Sequence, residues 1–227
     1  MNSPTPRLGF RILPAPPRLA PRIVERCRGL AAANLADAMG RFHFMDPEIR
    51  SRSGFAMAGL AVTVVCRAGD NLMLHKALQI AEPGDVVVVS TCGGYTTAVF
   101  GELMCHTAAA KRLGGIVVDG AIRDVGGIRD LQFPAFSRTV SPGGCDKDGP
   151  GEINVPIACG NTVVMPGDIV VGDDDGVAVV PRDDASEVLA QVDQLMKRET
   201  ARIAEIAGGA LYKAEIDESL RKKGIIA

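Results

Sequence analysis

Apolar residues recur at helical spacing over residues 22–30 and again over 34–39, where Asn34 is placed to cap the second segment. The pattern then changes. A β-branched run over 59–66 and the valines Val86 to Val89, within a strand over 85–89, read as strands, the latter buried on both faces. Between them the spacing predicts a helix over 71–80, capped near Asp70. A helix over 100–113, a third buried strand over 116–118 and a helix over 125–131 that stops before Phe133 and Pro134 continue the alternation. Such a rhythm predicts a parallel βαβαβ core. In the last third the segments 153–158, 162–165, 168–172 and 177–180 are short strands between tight-turn signals, which predicts an antiparallel addition. Glu82-Pro83-Gly84-Asp85 and Met165-Pro166-Gly167-Asp168 each read as a Pro-Gly turn that launches a strand.

The ends of the chain look different from this core. The first 20 residues, rich in Pro and Arg, predict an extended arm lying on the surface or on a neighbouring subunit. After Pro181 an amphipathic helix is predicted over about 183–206, followed by a short one after Lys213, a segment suited to packing on another subunit. The organisation expected is an arm over 1–20, one α/β catalytic domain over 21–181 and a helical segment over 182–227.

Composition narrows the function. A chain of 227 residues with 47% hydrophobic side chains is long enough to bury a substantial core. Its 25 basic and 27 acidic residues leave a net charge of -2 with no basic run, which argues against nucleic acid as a partner. No stretch approaches the roughly 20 apolar residues a membrane span needs. Prolines at 4, 6, 14, 16 and 17 stand where a secretion signal needs an apolar segment, so a soluble, cytoplasmic protein is expected. Six cysteines without a Cys-x-x-Cys pair argue against structural zinc and a redox pair, and read as free, buried or half-buried thiols.

Three places carry candidate chemistry. Gly93-Gly94 follows a buried strand, but the spacing of a dinucleotide fingerprint is absent; the pair is a flexible turn or a loop whose amides approach an anion. Gly101-Glu102-Leu103-Met104 opens a helix whose unpaired amides suit a substrate carboxylate, unless Glu102 only offsets the helix dipole. Asp119 to Asp124 follows the third strand, and ligands of open α/β sheets sit beyond the carboxyl ends of strands, so this loop and the Gly93 loop should face one crevice. Within it Arg123 offers a planar fork for a carboxylate, and Asp124 a hard oxygen for magnesium or manganese. Arg129-Asp130 reads as a solvated pair. His75 and His106 lack a second ligand one turn away, and Ser90 and Cys92 have no histidine close in sequence. Asp173-Asp174-Asp175-Gly176 lacks the spacing of a calcium loop and reads as a hairpin turn.

With these residues in place, a family resemblance can be read over Gly101 to Pro181. Gly-Glu-Leu-Met, Val-Val-Asp-Gly-Ala-Ile-Arg-Asp-Val, Phe-Pro-Ala-Phe, Asn-Val-Pro-Ile, Pro-Gly-Asp and Gly-Asp-Asp-Asp-Gly-Val together resemble the family of the regulator of ribonuclease activity A and its metal-dependent aldolase relatives. More loosely, the likeness runs from about residue 20 to the C-terminus. Members often carry the label of demethylmenaquinone methyltransferase, yet no methyl-donor motif is present here. The aldolase branch has an acidic residue, twenty intervening residues and then Arg-Asp, a spacing that Glu102 and Arg123-Asp124 meet. Phe100 stands where many members have Trp, and Gly126-Gly127 replaces a commonly acidic pair.

The resemblance implies a swivelling β/β/α fold, with a parallel core sheet plus antiparallel strands, assembled as trimers or hexamers with active sites between subunits. It implies a class II pyruvate aldolase acting on 4-hydroxy-4-methyl-2-oxoglutarate-like oxo acids, with oxaloacetate decarboxylation and a Mg²⁺ or Mn²⁺ cofactor. On that reading Asp124 ligates the metal, Arg123 pairs with the pyruvyl oxygens and Glu102 holds metal-bound water. The amides of Leu103 and Met104, beside Gly101, hold the carboxylate. Lys147, in a Gly-rich loop, and Glu199, on the C-terminal helix, reach a site at a subunit boundary, the alternatives being a solvated lysine and a helix-surface glutamate. A competing class is a non-catalytic protein-binding regulator.

Overall fold

The run of four valines forms the middle of the molecule. In the computed structural model, which describes residues 7–226, strand β3 (Val86–Ser90) lies between parallel neighbours β2 (Met57–Cys66) and β5 (Gly115–Ile122). Side chains alternate across a strand, so Val87 and Val89 enter one apolar cluster while Val86 and Val88 enter another, and a polar residue on either face would be stranded. The main sheet runs β1 (Arg50–Ser51), β6 (Ala135–Val140), β5, β3, β2, β10 (Ile169–Asp173), β11 (Gly176–Val180). It is parallel from β6 to β2 and antiparallel at both ends. β4 (Ala98–Phe100) continues beside β5, and β7 (Gly151–Ile153) beside β2. β8 (Ile157–Cys159) and β9 (Thr162–Val164) form a separate hairpin. The segment before β1 bonds to β11 through Met45 N–H to Val177 O (2.8 Å), and Arg52 N–H reaches Ala135 O (2.8 Å), so the sheet nearly closes on itself.

Helices α3 (Leu72–Ile80), α4 (Glu102–Ala110) and α5 (Val125–Asp130) cover one face. On the other flank α1 (Pro21–Arg28), α2 (Ala32–Ala38) and the first turns of α6 (Ala185–Ala207) pack on β2, β10 and β11 through Cys27, Leu35, Leu60, Val171 and Val188. A last helix, α7 (Ala214–Lys222), follows Lys213. The arm runs along the chain's own β7: Gly151 N–H donates to Gly9 O (2.8 Å) and Ile153 N–H to Arg11 O (2.9 Å). Arg11 locks this pairing with two bonds to the Glu152 carboxylate (2.8 and 2.6 Å). The two Pro-Gly turns are built alike, since the Asp85 carboxylate accepts from Glu82 N–H and the Asp168 carboxylate from Met165 N–H, both at 2.8 Å.

Several local expectations are corrected. Asn34 does not cap α2, which begins two residues earlier; Asp173 of the β10–β11 hairpin, distant in sequence, accepts from Ala32 N–H (2.8 Å) and does that work. Asp119 to Ile122 are not loop but the end of β5, which is longer than its apolar centre because Arg138 satisfies the Asp119 carboxylate (2.6 Å) inside the sheet. The strand expected over 153–158 breaks in two around Asn154, whose left-handed φ of 56° turns the chain. β1, β4 and β6 lack a pattern of their own and form as neighbours of β5 and β6. The Asp173 to Gly176 segment is the expected hairpin turn. Among the described residues no helix is long and apolar enough to cross a membrane. All six cysteines are free, four of them buried, with Cys145 half-buried; Cys92 is exposed, contrary to expectation, because it sits in a turn at φ 51° outside the sheet.

Candidate active site

Where β4 and β5 end, the chain makes two sharp moves that bring distant residues together. After β4, Gly101 starts α4; after β5, Arg123 and Asp124 precede α5. Arg123 N–H donates to Phe100 O (2.9 Å), which ties the two turns edge to edge. Asp124 adopts φ 55°, ψ 38°, a left-handed conformation that costs a non-glycine residue on the order of 1–3 kcal/mol and tends to occur at functional positions. The conformation swings its carboxylate over the start of α4, where Oδ2 accepts from Glu102 N–H (3.2 Å) and lies 3.4 Å from Arg123 Nε. A Cβ at position 101 would fall 2.7 Å from that oxygen, so a glycine is required for this approach.

These turns form one wall of a crevice of about 320 Å³. Gly101, Leu103, Met104, Arg123 and Asp124 line it, and α4 itself offers no acceptor for the Leu103 and Met104 amides, which are left for an anion. Asn71 and His75 of the α3 start and Cys145 and Lys147 of the 141–150 loop complete the lining. Asp70 fixes that loop from below: its buried carboxylate accepts from Leu72 N–H (2.9 Å) at the start of α3 and from Asp148 and Gly149 N–H (2.7 and 2.9 Å). Burial pushes the Asp70 carboxyl up, but these three donors and Arg67 outweigh it and hold the group below the usual carboxylate range. Burial, and then the Lys147 charge, lower the His75 imidazole, which therefore stays neutral near pH 7. Burial raises the Cys145 thiol, so it is no ready nucleophile.

Glu102 stands on the rim, its carboxylate against the bare Cα of Gly127, where a Cβ would come within 2.3 Å of Glu102 Cδ. The Gly126-Gly127 pair thus makes room for this side chain, and His106 Nε2 lies 3.8 Å from it one turn along α4. Among the described residues no group of three or more His, Cys, Asp or Glu is arranged to hold a metal. Asp124, 44% exposed and with Oδ1 free of donors among the described residues, offers a single hard oxygen to the crevice it lines. That donor set fits a cation such as magnesium or manganese that keeps water and substrate oxygens, and does not fit zinc.

Of the residues singled out from sequence, six line the crevice, Glu102 borders it, and Glu199 does not reach it within the chain. Glu199 accepts from Asn34 Nδ2 (2.8 Å), joining α6 to α2. The Gly93-Gly94 loop does not share the crevice either; Gly94 N–H is spent on Thr91 O (3.0 Å), and the loop lies over Ala68. Asn71 and Cys145 were not foreseen, nor His75 as a crevice residue. A signal existed, since Asn71 and His75 are four residues apart at a helix start and share a face.

The comparisons with known proteins agree with this architecture. The family described as RraA-like, Aldolase/RraA, matches residues 32–179. A protein of Halalkalibacterium halodurans named "Putative 4-hydroxy-4-methyl-2-oxoglutarate aldolase" is 39% identical over 155 residues, 68% of this chain and 74% of its own length. An uncharacterized protein from Pseudomonas syringae superposes with a TM-score of 0.77 at 28% identity, covering 85% of this chain and 92% of that one. RraAS2 of Streptomyces coelicolor, titled an unusual member of the RNase ES inhibitor RraA protein family, superposes with a TM-score of 0.73 at 28% identity, covering 82% and 98%.

Proposed function

This chain belongs to the RraA-like family, Aldolase/RraA, and from that premise and the crevice we propose that it is a pyruvate aldolase of the metal-dependent class. It would cleave 4-hydroxy-2-oxo acids like 4-hydroxy-4-methyl-2-oxoglutarate to pyruvate and a second oxo acid, and decarboxylate oxaloacetate. The observation that carries the reading is the convergence of the Asp124 carboxylate, the Arg123 guanidinium and the open α4 amides on one wall. A relative at 39% identity that bears an aldolase name supports it.

Both reactions break a bond to C3 of a 2-oxo acid and leave negative charge on the C2 oxygen. The Leu103 and Met104 amides and the positive end of α4 bind the C1 carboxylate. Arg123 presents its fork to the C1 and C2 oxygens and holds the C2 oxygen more strongly as charge gathers there, which lowers the barrier. Asp124 would hold a divalent cation, Mg²⁺ or Mn²⁺, which would supply Lewis-acid stabilisation of the enolate charge when bound. Glu102 orients a water that takes the C4 hydroxyl proton as the C3–C4 bond breaks and returns a proton to C3 of the enolate; the missing side chain at Gly127 makes room for its carboxylate, and His106 Nε2 lies 3.8 Å from it. Lys147 meets the distal carboxylate across the crevice. Glu199, remote from its own crevice, contributes only to that of a neighbouring copy in a trimer or hexamer.

A second reading, a non-catalytic regulator that covers another protein's surface, is favoured by the likeness to an RNase inhibitor family member. One experiment separates the two. Purified protein is mixed with oxaloacetate and Mg²⁺ or Mn²⁺, and pyruvate is followed with and without chelator. Chelator-sensitive release is expected, and its absence favours the regulator.

A further inference from the structure

Resting on the aldolase reading, we infer that Asn71 is the residue by which the crevice selects a substrate with a hydroxyl at C4, the side-chain oxygen accepting that hydroxyl's hydrogen bond.

Two buried side-chain polar atoms have no hydrogen-bond partner among the described residues, Arg182 Nη1 and Asn71 Oδ1. Arg182 is already engaged, by Nη2 to Pro17 O (2.8 Å) and by Nε beside Asp183 (3.6 Å), and it lies outside the crevice. Asn71 is 5% exposed and lines the crevice. Its Nδ2 donates to Val99 O (2.9 Å) and approaches Met104 Sδ (3.5 Å). Exchanging the two ends of the amide would set Oδ1 against Val99 O, so the hydrogen bond fixes which end is left over. The atom left over is an acceptor in a place where native structures rarely leave one unpaired.

The crevice contains possible donors in His75, Cys145 and Lys147, yet none of them bonds Oδ1. The place is therefore open to a donor from outside the chain, and a hydroxyl of a ligand in the crevice meets that need. A neutral carbonyl oxygen repels a carboxylate and accepts from a hydroxyl, which leaves the distal carboxylate to Lys147. Location agrees with chemistry: Asn71 touches Val99 and Met104, on either side of the Gly101 turn whose following amides hold C1. A group lodged here is therefore beside the turn that would hold C1. In a 4-hydroxy-2-oxo acid the only hydroxyl is at C4, whereas oxaloacetate has none there. The bond is made to the intact substrate, and Asn71 takes no proton, so it is a positioning residue that acts mainly on binding.

The test compares 4-hydroxy-2-oxoglutarate with 2-oxoglutarate, which lacks only the hydroxyl, as competitors of oxaloacetate decarboxylation followed by CO₂ release. The wild-type protein should bind the hydroxy acid about tenfold tighter, the value of one well-made hydrogen bond. Asn71→Leu should remove that preference by weakening the hydroxy acid alone, raising its KM in aldol cleavage more than it lowers kcat. A residue that merely supported the fold would weaken both acids together. Equal binding of the two acids by wild type overturns the inference, as does a parallel loss in the variant. If Asn71→Leu does not fold, the wild-type ratio and Asn71→Ser, which keeps a small hydroxyl, decide it. A wild-type protein that does not decarboxylate oxaloacetate at all overturns the aldolase reading first, which is a distinct result.

Discussion

Around the crevice Phe100, Ile122 and Ile128 are at most 1% exposed, while along α6 and α7 Ile203 and Ile216 are 67% and 58% exposed, and Leu211 between the helices is 61% exposed. Only Ala185, Val188 and Val192 of α6 are buried. The crevice wall is thus held by the chain's own core and is formed before any ligand arrives. The C-terminal helices instead carry apolar surface that finds no cover in their own chain, and contiguous patches of that kind mark interaction surfaces. Each region implies a different sensitivity: the first to single atoms, the second to assembly.

Substitutions in the wall should give the largest effects. Asp124→Ala is expected to reduce metal-dependent pyruvate release by a factor on the order of a thousand or more, with only a modest fall in melting temperature from the lost bond to Glu102 N–H and the left-handed backbone, since its side chain is half in solvent. Unchanged turnover would remove Asp124 from the site. Arg123→Lys should cost roughly a hundredfold, because an ammonium cannot make a planar two-point contact; near-native activity would show that the carboxylate is bound elsewhere.

Assembly should matter next. Glu199→Ala is expected to lower activity by about 10- to 100-fold, the usual cost of removing a group that supports a metal site from outside, and specific activity should fall with dilution as light scattering reports smaller particles. A fully active monomer would break the comparison by showing that the crevice needs no neighbour.

Gly127→Ala sharpens it from the other side. The added methyl displaces the Glu102 carboxylate, so turnover should fall several-fold, while the exchange inside α5 adds up to about 1 kcal/mol of helix stability. Loss of activity together with loss of stability would point instead to a repacked core.

The smallest effect concerns the arm. Its Arg11 hydrogen bond first of all holds the Glu152 carboxyl below the usual range. A depressed carboxylate contributes stability above its unfolded value, about 4.3, and loses it as pH falls through the folded value. Denaturant midpoints should therefore decline below about pH 4.5 less steeply in Glu152→Gln than in wild type.

Much of the fold was legible in the chain. Four successive valines require burial on both faces, and the Pro-Gly-Asp turns carry their own capping carboxylate, so the β3 strand and both turns are decided by neighbouring residues. The α4 start and the end of β5, singled out because helix starts and strand ends are local features, do come together in one crevice. Tertiary structure decided the rest. Asp173 capping α2, Arg138 stabilising Asp119 within β5, Asp70 holding the Lys147 loop and Asn71 facing the crevice without a donor all depend on partners brought together across the fold. A hydrogen bond is directional and short, so which polar side chain is satisfied and which is left open is settled only when the core has placed their backbones within about 3 Å of one another.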